Sequence, residues 1–220
     1  MKRIDGDGYT LYQADCLDVL PTFPAASVDA VIADPPYGVN AVRNGRCFST
    51  SNAARTNEYR PIIGDDRPFD PSPWLDYPYV VLWGANHYAN RLPARARWLV
   101  WDKRDGVNSN PLADCELAWT NDTRPARLFS HRWMGMIRAS ERGPRLHPAQ
   151  KPVALLRWTI QVMEIPGDAL VLDPYMGSGS TGVAALALGR RFIGVELDEH
   201  YFDVAARRLE AAAAQKRLAV

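Results

Sequence analysis

Short apolar runs separated by turn-forming residues are the feature that most constrains the fold of this chain. The run Val28–Ala33 is β-branched and continuously apolar, as expected for a parallel strand buried on both faces. Strands are predicted in the same way at Tyr9–Gln13, Val28–Ala33, Tyr79–Trp83, Arg97–Trp101, Cys115–Thr120, Ala169–Leu172 and Arg191–Val195. Helical segments are predicted between them at Cys16–Leu20, Asn86–Leu92, Pro152–Glu164, Thr181–Leu188 and His200–Lys216.

Alternation of strands and helices predicts an α/β fold with a doubly wound, mostly parallel sheet, and Cys115–Thr120 as an antiparallel member. The length of 220 residues suits a single domain, 1–220. In such sheets ligands bind beyond the carboxyl ends of the strands. Asp34, Asp173 and Glu196 each stand at the end of a predicted strand, so these three acids mark the expected site.

The turn Asp34-Pro35-Pro36-Tyr37 follows the first buried strand. Two prolines exclude both a helix and a sheet ladder there. An amino nitrogen on a nucleobase is a poor nucleophile, because its lone pair is delocalised into the ring. The Asp34 carboxylate and the Pro35 carbonyl can accept its N–H bonds and localise that lone pair, while Tyr37 can stack on the base. The turn therefore predicts chemistry on a base amino group, through positioning and electrostatics.

The glycine-rich turn Asp173–Gly182 follows a strand and opens a helix. Its glycines permit positive φ and close approach of a ligand to the backbone, and the helix N-terminus offers free N–H groups. Gly177, Gly179 and Gly182 also match the dinucleotide fingerprint, with Glu196 nineteen positions after Gly177. A nicotinamide-dependent oxidoreductase is thus an alternative. A carboxylate at Asp173, however, would repel a pyrophosphate and suit the cationic amino group of a methionine moiety.

Together these segments resemble the amino-group DNA methyltransferases. Asp34-Pro35-Pro36-Tyr37 is similar to the catalytic motif of that family, and Asp173–Ser180 is similar to its cofactor loop, with Tyr175 where Phe is usual. His147–Pro152 resembles the segment before the cofactor half, with Ala149 where Thr is frequent. The catalytic motif precedes the cofactor loop, which resembles the permuted β class. The resemblance implies a Rossmann-like methyltransferase fold and base flipping.

The resemblance also implies S-adenosylmethionine as cofactor, with S-adenosylhomocysteine as product and no metal. Gln13–Leu17 resembles the stretch whose acid lies near the adenine of the cofactor, and Asp15 there is equally explained as a helix cap. The implied catalytic residues are Asp34, Pro35, Pro36 and Tyr37. The implied cofactor-binding residues are Asp15, Cys16, Asp34, His147, Gln150, Lys151, Asp173, Pro174, Tyr175, Met176, Gly177, Ser178, Gly179, Ser180, Thr181, Glu196 and Leu197.

The resemblance leaves adenine N6 and cytosine N4 as possible targets. The Asp form of the tetrapeptide is compatible with both, although Ser in its place is commoner among cytosine enzymes. The overall pattern, including Trp133–Met136 ahead of the His-Pro segment, resembles small phage-type adenine methyltransferases, so adenine is preferred. An RNA or protein amino-group methyltransferase is the next alternative, although those enzymes usually carry Asn in place of Asp34. A catalytically silent DNA-binding module is the non-enzymatic alternative, and intact Asp34 and Tyr37 argue against it.

Charge is unevenly distributed although the net charge is only +1. Residues 91–145 carry eleven basic and six acidic side chains, whereas residues 1–40 carry two and six. The basic segment 102–145 is the predicted target-recognition region, and the polar segment 38–73 is predicted to be a mobile substrate loop. Candidate contacts to double-stranded DNA are Arg43, Arg46, Arg124, Arg127, Arg132, Trp133 and Arg138.

Three widely spaced cysteines and four histidines without ligand spacing predict neither disulfides nor a metal site, and they fit a reducing cytoplasm. No apolar run is long enough to span a bilayer, and the N-terminus does not resemble a signal peptide. A homodimer is expected by analogy with the β class. The sequence identifies neither the recognised DNA site nor a partner restriction endonuclease.

Overall fold

The computed structural model describes residues 1–24, 26–43, 46–47, 60–94, 96–106, 113–134, 137–141 and 143–218. The strands are β1 Lys2–Gly6, β2 Tyr9–Gln13, β3 Ala30–Ala33, β4 Val42–Arg43, β5 Arg46–Cys47, β6 Tyr79–Trp83, β7 Arg97–Asp102, β8 Cys115–Thr120, β9 Arg127–Ser130, β10 Trp133–Met134, β11 Ile137–Arg138, β12 Leu170–Asp173 and β13 Arg191–Glu196. The α-helices are α1 Cys16–Val19, α2 Val153–Val162, α3 Ser180–Ala187 and α4 Glu199–Leu218.

Nine strands form one mixed, mostly parallel sheet in the order β1-β2-β13-β12-β3-β6-β8-β7-β9. The pairs from β2 through β13, β12 and β3 to β6 are all parallel. Strand β8 runs antiparallel to both β6 and β7. Consequently the carboxyl ends of β2, β13, β12, β3 and β6, together with the amino end of β8, lie at one edge of the sheet.

Alternate residues of the central strands enter two separate cores, because successive side chains of a strand point to opposite faces. Ile32 of β3 and Trp83 of β6 join the core beneath α2, α3 and α4. Ala33 and Leu82 join the core on the opposite face, where α1, short 3-10 turns and loops complete the cover. Both faces are therefore buried, as the apolar runs predict, and the Rossmann-like α/β fold is confirmed.

Most predicted elements are present with ends shifted by at most two residues, but the helix predicted at Asn86–Leu92 is wrong. Two separate 3-10 turns, Ala85–His87 and Ala89–Arg91, occupy that stretch. Tyr88 between them adopts φ −137°, which is outside helical geometry. The backbone hydrogen bonds on either side of Tyr88 are of the 3-10 type, from His87 to Gly84 and from Arg91 to Tyr88, and its hydroxyl donates to the Trp83 carbonyl at 2.7 Å.

Strands β1, β4, β5, β9, β10 and β11 are additional to the sequence prediction. The β9 strand pairs in parallel with β7 at the edge of the sheet, and β10–β11 is a separate two-stranded hairpin. Parts of the predicted recognition region 102–145, namely β8 and β9, therefore belong to the main sheet. Among the described residues, no helix is long and apolar enough to cross a membrane.

Candidate active site

The strand ends at the common edge of the sheet surround a cavity of about 480 Å³. This volume lies within the usual range for small-molecule sites. Asp34 follows β3, Asp173 ends β12 and Glu196 ends β13, and all three side chains line the cavity. The structure thus brings together the three acids that the sequence placed at strand ends. Asp15, Cys16, Leu197 and the segments 34–37, 147–151 and 173–181 also contribute to the lining, except for Pro148 and Gly179.

Asp34 is held by a lysine from a distant segment. The Lys151 Nζ atom lies 2.5 Å from Asp34 Oδ2, across 117 residues of sequence. The Tyr37 hydroxyl donates to the other oxygen, Oδ1, so both carboxylate oxygens are engaged. Lys151 is also 3.5 Å from the Tyr37 hydroxyl. The tetrapeptide and the 147–152 segment therefore form one cluster.

Two further charged residues, which the sequence prediction missed, continue this cluster. The Glu116 Oε2 atom lies 3.0 Å from Lys151 Nζ, and its Oε1 atom accepts a hydrogen bond from Lys103 Nζ at 2.9 Å. Glu116 is on β8, and Lys103 directly follows β7. The alternating series Lys103–Glu116–Lys151–Asp34 is called the charge chain below. An acidic residue near the start of the strand Cys115–Thr120 was the available sequence signal.

Burial and neighbouring charges shift the pKa values of the charge chain. Burial raises the pKa of Asp34, against the lowering effect of the Lys151 ammonium. Burial acts in the same direction on Glu116, but Lys151 and Lys103 outweigh it and lower its pKa to about 2. Burial opposes the charge on Lys151, yet Asp34 and Glu116 together raise its pKa. Lys151 is therefore an ammonium ion between two carboxylates.

The Tyr37 ring is positioned by a glycine and a histidine that follow β6. Gly84 adopts φ +70°, and a Cβ atom there would lie 2.1 Å from the Tyr37 ring. The His87 ring stacks on Tyr37 with centroids 4.7 Å apart and planes inclined by 11°. Because Gly84 allows this close approach, the β6 end fixes the orientation of the tyrosine at the cavity.

The glycine-rich turn is organised around Asp173, largely by its own residues. Asp173 Oδ1 accepts from the Tyr175 backbone N–H at 3.1 Å, and Oδ2 accepts from the Thr181 hydroxyl at 2.6 Å. Gly179 adopts φ +76°, and a Cβ atom there would lie 2.7 Å from Leu209 of α4. The loop thereby turns sharply into α3 while packing against α4.

Glu196 is held by backbone donors on both sides. Its Oε2 atom accepts from Gly177 N–H at 2.9 Å, and its Oε1 atom accepts from Asp198 N–H at 2.8 Å. Asp15, which follows the neighbouring strand β2, accepts from Leu17 N–H at 2.9 Å as the N-cap of α1. The helix-cap interpretation of Asp15 is therefore confirmed, and its side chain also lines the cavity.

Burial, with contributions from neighbouring acids, raises the pKa values of the carboxyl groups in the cavity. Burial, assisted by the negative charges of Asp34 and Glu196, raises the pKa of Asp173 to about 7. Burial also raises the pKa of Glu196. An added cation would relieve this repulsion, whereas an added anion would increase it. The cavity therefore suits a ligand with an ammonium or sulfonium group and disfavours a pyrophosphate.

The segment 147–151 closes the cavity between the two turns. Ala149 N–H donates to His147 Nδ1 at 3.2 Å, and the His147 ring meets the Tyr201 ring edge-on at 4.2 Å. Burial, reinforced by the Lys151 charge, lowers the pKa of His147 to about 3, so the ring is neutral. The Gln150 side chain accepts from Leu146 N–H at 2.8 Å, which fixes the start of the segment.

Arg208 on α4 braces the glycine-rich turn from outside and was also missed by the sequence prediction. It donates to the Ser178 carbonyl at 2.6 Å, and to the hydroxyls of Ser178 and Ser180 at 3.0 and 3.1 Å. Its other terminal nitrogen reaches Glu141 at 3.0 Å. No sequence motif distinguished Arg208 from the other arginines of the chain.

The described part of the predicted loop 38–73 contributes one wall of the cavity. Buried Asp65 accepts hydrogen bonds from the backbone N–H groups of Gly38, Val39 and Ala41 at 2.9, 3.1 and 2.6 Å. Residues 61–65 and 67–70 line the cavity. Residues 44–45 and 48–59 lie outside the described part of the chain, so the mobility predicted for this loop stays a prediction.

The candidate DNA contacts have different environments. Arg127 is exposed, whereas Arg124 is paired with Asp122 at 2.7 Å and with Glu164 at 2.6 Å.

Trp133 is only 7% exposed, and its indole N–H donates to the Gln150 carbonyl at 3.1 Å. This core position argues against the DNA contact predicted for Trp133. Arg138 covers the Trp133 ring at 5.0 Å, and Arg132 is half-buried. The side chains of Arg43 and Arg46 lie outside the described residues.

Comparison with known proteins identifies clear relatives. The model of a DNA methylase family, named for N6 and N4 methyltransferases, matches residues 96–207. The chain is 30% identical to YubD of Escherichia coli strain K12, a protein named as a methylase, over 90% of this chain and 89% of the relative. The structure of PvuII DNA methyltransferase, described as cytosine-N4-specific, aligns with TM-score 0.60 and 16% identity, covering 96% and 91% of the two chains. The M1.HpyAVI–SAM complex aligns with TM-score 0.56 and 22% identity, covering 91% and 100%.

Proposed function

The chain belongs to the N6/N4 family of DNA methylases, which transfer a methyl group from S-adenosylmethionine to a base amino group, and we propose that its target is N6 of adenine in double-stranded DNA. The observation that carries the proposal is the Asp34–Tyr37 turn at a cavity that suits a cationic cofactor. Aspartate as the first residue of that turn, and the likeness of residues 133–136 to phage-type adenine enzymes, favour adenine over cytosine.

The cavity fits S-adenosylmethionine by charge and by donor set. In this proposal Asp173 would pair with the methionine ammonium, and Glu196 would accept hydrogen bonds from the ribose hydroxyls. Asp15 and Leu197 line the same cavity near the ends of β2 and β13, where the adenine moiety would lie. The bound cofactor supplies an electrophilic methyl group on a sulfonium. The same arrangement argues against the dinucleotide alternative, since two of the three acids would face a pyrophosphate.

The residues of the Asp34 turn would activate the target nitrogen. With the base flipped out of the duplex, the Asp34 carboxylate and the Pro35 carbonyl accept the two N–H bonds of its amino group, and Tyr37 stacks on its ring. The Tyr37 hydroxyl now donates to Asp34, so an entering amino group replaces that bond. As the nitrogen takes the methyl group from the sulfonium sulfur, whose bond to that carbon breaks, it would lose one proton, and Asp34 would accept that proton.

The recognition role assigned to residues 102–145 and the substrate-loop role assigned to residues 38–73 are part of this proposal. Residues 61–65 and 67–70 line the cavity, and Glu116 of the recognition region contacts Lys151 beside Asp34, where a base would enter from DNA. Exposed Arg127, and the arginines 43, 46, 124, 132 and 138, are proposed to contact phosphates or base edges in a short site. A partner endonuclease, which would make this a restriction–modification enzyme, is not needed for this chemistry.

The proposal is tested by incubating the purified protein with labelled S-adenosylmethionine and mixed-sequence duplex DNA. The DNA is then digested, and the modified nucleoside is identified by mass spectrometry. N6-methyladenine is the expected product. N4-methylcytosine would preserve the mechanism and overturn the choice of base. Unmodified DNA, with cofactor binding intact, would overturn the DNA substrate and favour RNA or protein.

A further inference from the structure

Glu116 lies outside the cavity lining, and none of the motifs that resemble the family contains it. We propose that Glu116 is a positioning residue for methyl transfer, which holds the Lys151 ammonium between itself and Asp34 so that Asp34 keeps its strength as a hydrogen-bond acceptor. This inference rests on the proposed role of Asp34.

The antiparallel placement of β8 brings Glu116 to the catalytic edge. Ala118 of β8 pairs with Trp83, the last residue of β6. Because β8 runs opposite to β6, Glu116 lies two residues beyond the carboxyl end of β6. It shares a face with Ala118, whose side chain enters the core beneath α2. Lys151, which immediately precedes α2, reaches Glu116 from that side.

The distances indicate an ammonium shared between two acids. Lys151 Nζ lies 2.5 Å from Asp34 and 3.0 Å from Glu116, and the lysine side chain is only 9% exposed. A lysine paired with Asp34 alone would neutralise that carboxylate and direct its proton donors toward it. A second carboxylate, at 3.0 Å, shares the charge of the ammonium as an ion pair, so that Asp34 retains more negative charge to offer to an amino group. Lys103 holds the far oxygen of Glu116 and keeps the acid in place.

Other charged and titratable groups also face Asp34 and are unchanged by a substitution at Glu116. Tyr37 and Tyr88 lie on the side of the β6 end, and Asp173 faces Asp34 across the cavity. The negative charge of Glu116 raises the pKa of Asp34, and the positive charge of Lys151 lowers it. Removing the charge at position 116 therefore lowers the pKa of Asp34. It also leaves Asp34 more fully paired with Lys151, and hence a weaker hydrogen-bond acceptor.

The first test needs no turnover. The chain contains four lysines, so lysine ammonium groups can be followed individually by ¹H–¹⁵N NMR. An ammonium held by two carboxylates exchanges slowly with water, and we expect a sharp Lys151 signal in the wild-type protein. Glu116→Gln should broaden or abolish that signal. Glu164→Gln, which removes an exposed acid paired with Arg124, is the matched control and should leave it unchanged. An unaltered Lys151 signal in Glu116→Gln, or none in the wild type, overturns the proposal.

The second test measures kcat for DNA methylation against pH. Glu116→Gln should lower the plateau value about tenfold or more and move the acidic limb to lower pH, with little change in KM for S-adenosylmethionine. Glu116→Asp, which keeps the charge, should restore part of the rate. A lower rate without a shift of the acidic limb of the kcat–pH profile would show that Glu116 has a structural role only. Loss of folding in both variants would show the same. Full wild-type activity in Glu116→Gln overturns this inference alone, whereas an inactive wild type overturns the proposed function.

Discussion

The Asp34 turn and the Asp173 turn occupy equivalent positions, each at the carboxyl end of a buried parallel strand, but they are stabilised in different ways. Asp173 and Glu196 are satisfied chiefly by backbone N–H groups and a hydroxyl within residues 173–198. Asp34 depends on Lys151, which lies 117 residues away, and through it on Glu116 of β8. One turn is organised locally, and the other is organised by charges from distant elements.

This difference suits the two tasks that we propose. A cofactor site must present fixed acceptors to the same ligand in every cycle, and short-range backbone contacts provide them. A site that activates a base must control the acceptor strength of one carboxylate, and nearby charges control it directly. Substitutions at the Asp34 turn should therefore alter the rate and its pH dependence, whereas substitutions at the Asp173 turn should alter cofactor affinity.

The largest effect is expected for Asp34→Ala. Loss of a preorganised acceptor at the reacting atom typically lowers kcat by about 10²–10³-fold. Single-turnover methylation should show this loss, while S-adenosylmethionine affinity measured by calorimetry stays near the wild-type value. An equal loss of cofactor affinity would contradict the separation between the two turns.

A smaller effect, specific to pH, is expected for Lys151→Met. The Lys151 ammonium lowers the pKa of Asp34, so its removal raises that pKa and moves the acidic limb of kcat to higher pH. At pH values below the pKa of Asp34, each unit by which that pKa rises lowers the ionised fraction of Asp34, and hence the rate, about tenfold. The kcat–pH profile checks the direction, which is opposite to that expected for Glu116→Gln. A limb that moves downward in both variants would exclude the shared-ammonium arrangement.

At the Asp173 turn, cofactor affinity should depend on pH. The pKa of Asp173 is raised to about 7 in the ligand-free protein, and the ionised form is the one that pairs with the methionine ammonium. The Kd for S-adenosylmethionine should therefore be constant above pH 7 and rise by up to about tenfold per unit below it. Titrations from pH 5 to 9 measure this, and Asp173→Asn should bind more weakly with a flatter profile. A wild-type Kd that is unchanged across this range would contradict the assignment.

The smallest effect is expected on the surface, for Arg127→Ala. This exposed arginine touches neither turn, so kcat and cofactor affinity should be unaffected. If it contacts a phosphate, the Kd for duplex DNA should rise a few-fold regardless of sequence, and the salt-dependence slope should fall by about one. Filter binding at several salt concentrations provides the measurement. An unchanged slope would remove Arg127 from the proposed DNA surface.

The sequence predicted the sheet and most of the cavity, because both depend on local patterns. Apolar runs specify buried parallel strands, and the turns that follow them place Asp34, Asp173 and Glu196 at one edge. The 86–92 helix was predicted wrongly because the backbone leaves helical geometry at Tyr88, which separates two 3-10 turns. Trp133 was predicted to contact DNA because arginines surround it in the sequence, but its side chain is buried in the core.

By itself, the sequence determined the α/β class through the order of its apolar runs, and the two functional turns and the amino-group chemistry through short stretches of consecutive residues. The tertiary structure decided what surrounds those turns. No sequence motif contains Glu116, Lys103 or Arg208. These residues lie at the site because the tertiary structure packs β8, the end of β7 and α4 against it. Electrostatic coupling depends on distance in space and on burial, and neither can be read from separation along the chain.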